Sequence, residues 1–177
     1  MRIPLDIEPY FLRDWQYPDD IAPLVKYGNN RNIWLNLTDR FPHPYEQKNA
    51  EEWLQYVSAT DQEKVYAIAT PGEAIGAVGI HYRQDIDRLG AELGYWLGQP
   101  FWGQGIVTAA VKKVVGITFE TTELIRIYAR VFAPNIASAR VLEKAGFELE
   151  GHLRKAVIKD GMIMDLLAYA ILKPGIT

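Results

Sequence analysis

The segment Leu93-Gly94-Tyr95-Trp96-Leu97-Gly98-Gln99-Pro100-Phe101-Trp102-Gly103-Gln104-Gly105-Ile106-Val107-Thr108 constrains the fold more than any other part of this chain. A strand-like run, Ala91–Leu97, enters a turn rich in glycine. Val107, Ala110, Val111, Val114, Val115 and Thr118 then follow a helical period. Glycines let backbone N–H groups approach an anion, and a helix N-terminus contributes about half a positive charge. The expected occupant of such a turn is a phosphate or pyrophosphate.

Several templates can be laid over the turn. The P-loop frame G-x-x-x-x-G-K-[ST] starts at Gly98, but Gln104 and Gly105 stand where lysine and a magnesium-binding hydroxyl belong. That removes the chemistry of nucleotide hydrolysis. The dinucleotide pattern G-x-G-x-x-G is met by Gly103 and Gly105 and broken at Thr108, although Glu123 lies near the offset of a ribose-binding carboxylate. A tight strand-to-helix turn that binds nothing is the plain alternative.

The remaining elements follow from periodicity and punctuation. Pro18-Asp19-Asp20 before Ile21, Leu24 and Val25 predicts an acidic helix start. Ala50, Trp53, Leu54 and Val57 are spaced at three and four within a helix expected from Glu46 to Ser58. Between them, Asn36–Tyr45 is a proline-punctuated loop carrying Phe41 and Tyr45. Val65–Ala69 and Ala74–Tyr82 predict a hairpin across Thr70-Pro71-Gly72-Glu73. Ile125–Phe132 reads as strand, and Asn135–Ala145 as a helix capped by Asn135 and stopped at Gly146. Gly151–Ile158 and Met162–Leu172 predict a second hairpin over Lys159-Asp160-Gly161. The expected order is strand, two helices, three strands, helix, strand, helix, two strands. This is an α+β architecture, a mixed and mostly antiparallel sheet flanked by helices. No linker divides the 177 residues, so residues 1–177 are expected to form a single domain.

Composition narrows the function. With no cysteine, the chain has neither a disulfide scaffold, nor a thiolate zinc site, nor a cysteine nucleophile. A net charge of −3 argues against a nucleic-acid surface. No apolar run approaches the ~18 residues of a membrane span, and Met1–Glu8 lacks the apolar core of a signal peptide, so a cytoplasmic location is expected. His43, His81 and His152 are far apart in sequence and read as surface or loop residues with no case for a metal. Trp15, Trp34 and Trp53 read as core packing.

Pro134-Asn135-Ile136-Ala137-Ser138-Ala139-Arg140-Val141-Leu142-Glu143-Lys144-Ala145-Gly146-Phe147 follows the next strand. Together with the glycine turn it resembles the GNAT superfamily of N-acetyltransferases, whose turn (Gln/Arg)-x-x-Gly-x-(Gly/Ala) cradles the pyrophosphate of coenzyme A. Gly94-Tyr95-Trp96-Leu97, Trp102-Gly103-Gln104-Gly105, Asn135-x-x-Ser138 and Asn36–Tyr45 most resemble the branch of ribosomal-protein N-terminal (Rim-type) acetyltransferases. The resemblance runs from about Tyr10 to Leu172. It departs from the family at Val107, usually Gly or Ala, at Trp102, often Gln or Arg, and at Leu142, where many relatives carry a tyrosine acid.

The resemblance implies an acetyl-CoA-dependent N-acetyltransferase of the GNAT-like acyl-CoA N-acyltransferase fold. It implies coenzyme A contacts at Trp96, Leu97, Gly103, Gln104, Gly105, Ile106, Val107, Thr108 and Asn135. Without cysteine, acetyl passes directly to a primary amine, either a protein N-terminus or a small molecule. Glu92, at the start of the strand bearing Gly94-Tyr95-Trp96, is the candidate base, and Ser138 is the candidate donor to the departing thiolate. Phe41 and Tyr45 are candidates to wall the acceptor cleft. No metal, nucleic acid or membrane is expected as partner, and relatives of this branch are often homodimers. A non-catalytic acyl-CoA-binding module is the alternative that Leu142 leaves open.

Overall fold

The computed structural model describes residues 2–175; Met1, Ile176 and Thr177 of the expected 1–177 domain lie outside the described residues. The chain opens with two short strands, β1 (Arg2–Pro4) and β2 (Phe11–Arg13). Three helices follow, α1 (Ile21–Gly28), α2 (Arg31–Trp34) and α3 (Gln47–Ala59). Then come β3 (Glu63–Ala69), β4 (Ala74–Tyr82), β5 (Gly90–Leu97) and α4 (Ile106–Thr121). The chain ends with β6 (Arg126–Phe132), α5 (Ile136–Lys144), β7 (Glu148–Lys159) and β8 (Met162–Leu172). The expected order therefore holds from α3 onward. The β1–β2 pair and α2 are three or four residues long, too short to carry a period.

Among the described residues, eight strands share one sheet in the order β1-β2-β3-β4-β5-β6-β8-β7. Every pairing is antiparallel except β5 with β6. Alternation along β5 sends Leu93 and Leu97 into the main core with Ile106, Val111 and Val114 of α4 and Leu142 of α5. It sends Trp96 to the other face, against the smaller cluster of Leu24, Tyr45, Ala50 and Leu54 from α1, α3 and their connection. The sheet is thus covered on both faces. Among the described residues no helix is long and apolar enough to cross a membrane.

Local chemistry accounts for the ends of these elements. Glu46 and Asn49 form a capping box at the start of α3. Asn135 accepts from the Ser138 N–H at the start of α5. Asp160 and Gly161 both take positive φ, the primed turn that matches strand twist between β7 and β8. Asp20 does not cap α1 through its side chain. Its carboxylate turns back to accept from Arg13 at 2.6 and 2.7 Å and from the Gln16 N–H at 2.8 Å, tying β2 to the helix layer.

Asp20 is 1% exposed and the Arg13 side chain 11%, so Asp20→Ala leaves a largely buried guanidinium without its carboxylate. The expected loss is about 3 kcal/mol, measured by urea denaturation. An Arg13→Ala variant should lose a similar amount, and the double mutant less than the sum.

Candidate functional site

Parallel pairing of β5 with β6 lasts for three residue pairs, Gly90–Arg126, Ala91–Ile127 and Glu92–Tyr128, and then stops. Beyond that apex β5 stays with β4 as far as Leu97, and β6 stays with β8 as far as Phe132. The strands splay, and among the described residues Leu93–Leu97 has no strand partner on its β6 side. A gap lined by unpaired strand backbone can accept an extended, amide-containing arm, as a sheet edge accepts a peptide.

The wide end of the gap meets the glycine turn. Gly103 and Gly105 have φ of +76° and +79°, and Gly105 caps α4. An L-residue would be strained at either position. Among the described residues, no hydrogen-bond acceptor is found for the backbone N–H groups from Gly103 to Thr108. A run of free N–H groups through left-handed glycines into a helix start makes an anion-binding nest. The turn is braced from outside by Tyr10 Oη, which donates to Gln104 Oε1 at 3.1 Å. The Trp102 indole N–H donates to the Leu97 carbonyl at 2.7 Å, so that carbonyl is already engaged. Gln104 is therefore held by its side chain, while Gly103, Gly105, Ile106, Val107 and Thr108 contribute backbone.

At the narrow end two hydroxyls meet. Ser138, in the first turn of α5, lies 2.7 Å from Tyr95 Oη through Oγ, and its carbonyl accepts from the same phenol at 3.2 Å. Burial pushes the Tyr95 phenol up to about 12 against the opposing effect of the Ser138 bond, so it stays protonated as a donor. Tyr95 is a functional candidate that sequence reasoning passed over, although it stands inside the quoted motif. Leu142 is fully buried in the main core.

The opposite face carries Glu92, Phe41 and Trp96. Glu92 does not stand free: Oε1 accepts from Arg130 Nε at 2.8 Å, and Oε2 from Arg83 Nη2 at 2.6 Å and Tyr128 Oη at 3.4 Å. Both oxygens of the expected base are thus occupied by cations. Phe41 packs edge-on to Trp96 with centroids 5.8 Å apart and stacks on Tyr45 at 4.8 Å. Tyr45 itself is 3% exposed, so it supports Phe41 from within the core rather than facing a cleft. Trp15 and Trp53 pack at 4.8 Å, but Trp34 stands apart from them. It packs beneath Lys159, whose ammonium lies 3.8 Å from the ring and 2.8 Å from Asp39. With Arg31–Asp160 at 2.5 Å, this fastens the tip of the β7–β8 hairpin to the α2 region. His81 lies in β4 with its ring half exposed, in keeping with the expected surface position.

Comparison with known proteins agrees with this geometry. Residues 10–148 match the family model described as an acetyltransferase (GNAT) domain. The chain is 46% identical over 171 residues to YjcK of Bacillus subtilis, named a probable N-acetyltransferase, covering 93% of this chain and 94% of that one. It is 30% identical over 154 residues to the ribosomal-protein-serine acetyltransferase of Escherichia coli, covering 85% and 86%. Matches to YdaF and YoaA of Bacillus subtilis span only 55% and 57% of those relatives. Among solved structures, RimL, a ribosomal L7/L12 alpha-N-protein acetyltransferase in complex with coenzyme A, superposes with a TM-score of 0.86 at 23% identity, covering 97% and 98%.

Burial also raises the Tyr45 phenol to about 12. A phenol raised on folding stabilises the native state fully below the unfolded value of about 10 and loses that contribution as pH climbs towards 12. Denaturation between those limits should show the wild type losing stability more steeply than Tyr45→Phe. Equal slopes would mean that the ring is not buried in solution.

Proposed function

The chain belongs to the GNAT acetyltransferase family, and on that premise we propose that it transfers acetyl directly from acetyl-CoA to a primary amine. It is an acyltransferase by membership; the donor, the acceptor and the residue roles are our reading. One observation carries it: the free N–H run of Gly103–Thr108 opens into the unpaired edge of β5, which leads down to the Tyr95–Ser138 hydroxyl pair. Pyrophosphate, pantetheine arm and thioester sulfur are suited to those three places in turn. Asn135 holds Ser138 by accepting from its N–H.

Charge develops on sulfur as the thioester opens, so a hydroxyl there acts more in the transition state than in the ground state. Ser138 would donate to the departing thiolate, with Tyr95 behind it to supply the proton. Glu92 then anchors Arg83 and Arg130 at the apex instead of accepting a proton. Phe41 and Trp96 wall the acceptor cleft, with Tyr45 supporting Phe41 from the core. We favour an α-amino acceptor at a protein N-terminus, because one relative is named a ribosomal-protein-serine acetyltransferase and one structural neighbour an alpha-N-protein acetyltransferase. An α-amine, with its ordinary pKa of about 7.7–8.0, is also far easier to deprotonate than lysine. The lack of cysteine fits a cytoplasmic enzyme without a covalent acetyl intermediate.

At a hundredfold excess over its dissociation constant, acetyl-CoA should stabilise the fold by about 2.7 kcal/mol, read by thermal denaturation. Gly105→Val should abolish that gain, since a β-branched residue is poorly tolerated at positive φ and blocks the nest. A full gain in a folded Gly105→Val would exclude the turn as the site. Ser138→Ala should lower kcat about 10- to 100-fold, roughly 1.4–2.7 kcal/mol, with acetyl-CoA affinity unchanged. An unchanged kcat would leave solvent as the proton source.

A further inference from the structure

Register across the sheet places Glu63 of β3, His81 of β4 and Glu92 of β5 in one row on the face that carries Trp96. His81 Nδ1 is hydrogen-bonded to Glu63 Oε2. The Glu63 side chain is 9% exposed and the imidazole 44%. Nε2 has no protein partner among the described residues. That nitrogen leans over Gly94, where a Cβ would lie only 3.1 Å from it. Gly94 is two residues beyond the last β5–β6 pair, at the narrow end of the gap where the thioester would sit. The missing side chain leaves the space between Nε2 and the strand open.

We propose that His81 is the general base that deprotonates the acceptor amine, with Glu63 as its positioning residue. The assignment rests on the acetyltransferase reading. An imidazole that donates Nδ1–H to a buried carboxylate is fixed in one tautomer and presents its lone pair at Nε2. An acceptor arriving as R–NH3+ gives one proton to Nε2. The freed lone pair attacks the thioester carbonyl carbon, a C–N bond forms, and the carbonyl π pair moves to oxygen. Collapse restores the carbonyl and breaks C–S. Sulfur leaves with the bonding pair and takes a proton from the Ser138–Tyr95 hydroxyls, which are resupplied by the second proton shed from nitrogen. The half-exposed imidazolium returns its proton to water. Ammonium and thioester thus become amide, thiol and one released proton. Glu92 faces the same ring but is already held by Arg83, Arg130 and Tyr128.

The charged groups around the ring are Glu63 from β3, Glu92 from β5, Arg83 further along β4, and Arg130 of β6 through Glu92. The full chain is assayed by CoA thiol release with peptides beginning in serine or alanine and with spermidine, from about pH 6.5 to about pH 9.5. His81→Gln should lower acceptor kcat/KM about 100-fold near pH 7, with acetyl-CoA affinity unchanged. The deficit should shrink as pH passes the peptide amine's own range. Glu63→Gln should show the same pH dependence at smaller size. Nitrogen NMR of the wild type should find His81 protonated at Nδ1 and bare at Nε2, and Glu63→Gln should mix the tautomers. A His81→Gln deficit that is absent, or constant with pH, overturns the assignment; so does a wild-type proton on Nε2. A pH-dependent deficit confined to Glu92→Gln would move the base there. A wild type that binds acetyl-CoA and acetylates no amine removes the enzyme reading and the base with it, whereas an active wild type with an unaffected His81→Gln removes the base alone.

Discussion

Hydrogen bonding between β5 and β6 ends after Glu92–Tyr128, and the rest of the molecule is arranged around that ending. Each strand keeps its other neighbour: β5 follows β4 to Leu97, and β6 follows β8 to Phe132. Neither is free to swing back and close the gap without breaking a ladder on its far side. Backbone polar groups left unpaired in a partly buried gap are costly unless something bonds to them. A ligand that carries its own amides is the natural complement, and α4 places free N–H groups at the mouth for its charged end.

The two faces of β5 serve different partners because its side chains alternate. Tyr95 points to the α5 side and meets Ser138, while Gly94 and Trp96 belong to the opposite face with His81 and Phe41. One strand thus separates the Tyr95–Ser138 hydroxyl pair from the face of His81 and Phe41 by a single residue step. Rigidity comes from both cores: Leu93 and Leu97 are anchored beneath α4, and Trp96 is anchored against α1 and α3.

The glycine turn, the β3–β4 hairpin, the Asn135 cap and the Asp160-Gly161 turn were all legible, because each is written in contiguous residues. What was not legible depends on pairing between distant residues. Glu63 and His81 are 18 positions apart and meet only through hairpin register. A register shift between Ile68 and Ala69 decides it. Counted back from Ala69–Ala74 without that shift, Glu63 would oppose Ile80, and the His81 ring would have lost its carboxylate. A one-residue slip exchanges the faces of a strand, so no reading of composition could have found the pair. The capture of Glu92 by Arg83 and Arg130 is hidden for the same reason, since Arg130 comes from β6. Tyr45 was misjudged for another: a proline-rich loop suggests exposure, but here it lays its aromatics over α1 and α3.

Strand β8 comes after all the other described strands in sequence, yet it lies inside the sheet, between β6 and β7. Its hairpin also delivers Lys159 to Asp39, 120 positions earlier. During synthesis, β6 therefore emerges with one flank waiting, and its wall of the gap becomes rigid only when β8 pairs with it, whereas the β5 wall is already held by β4. Vectorial growth leaves the gap between β5 and β6 unfinished until this late step, so a nascent chain would hold its apolar parts together before one side of that gap is in place.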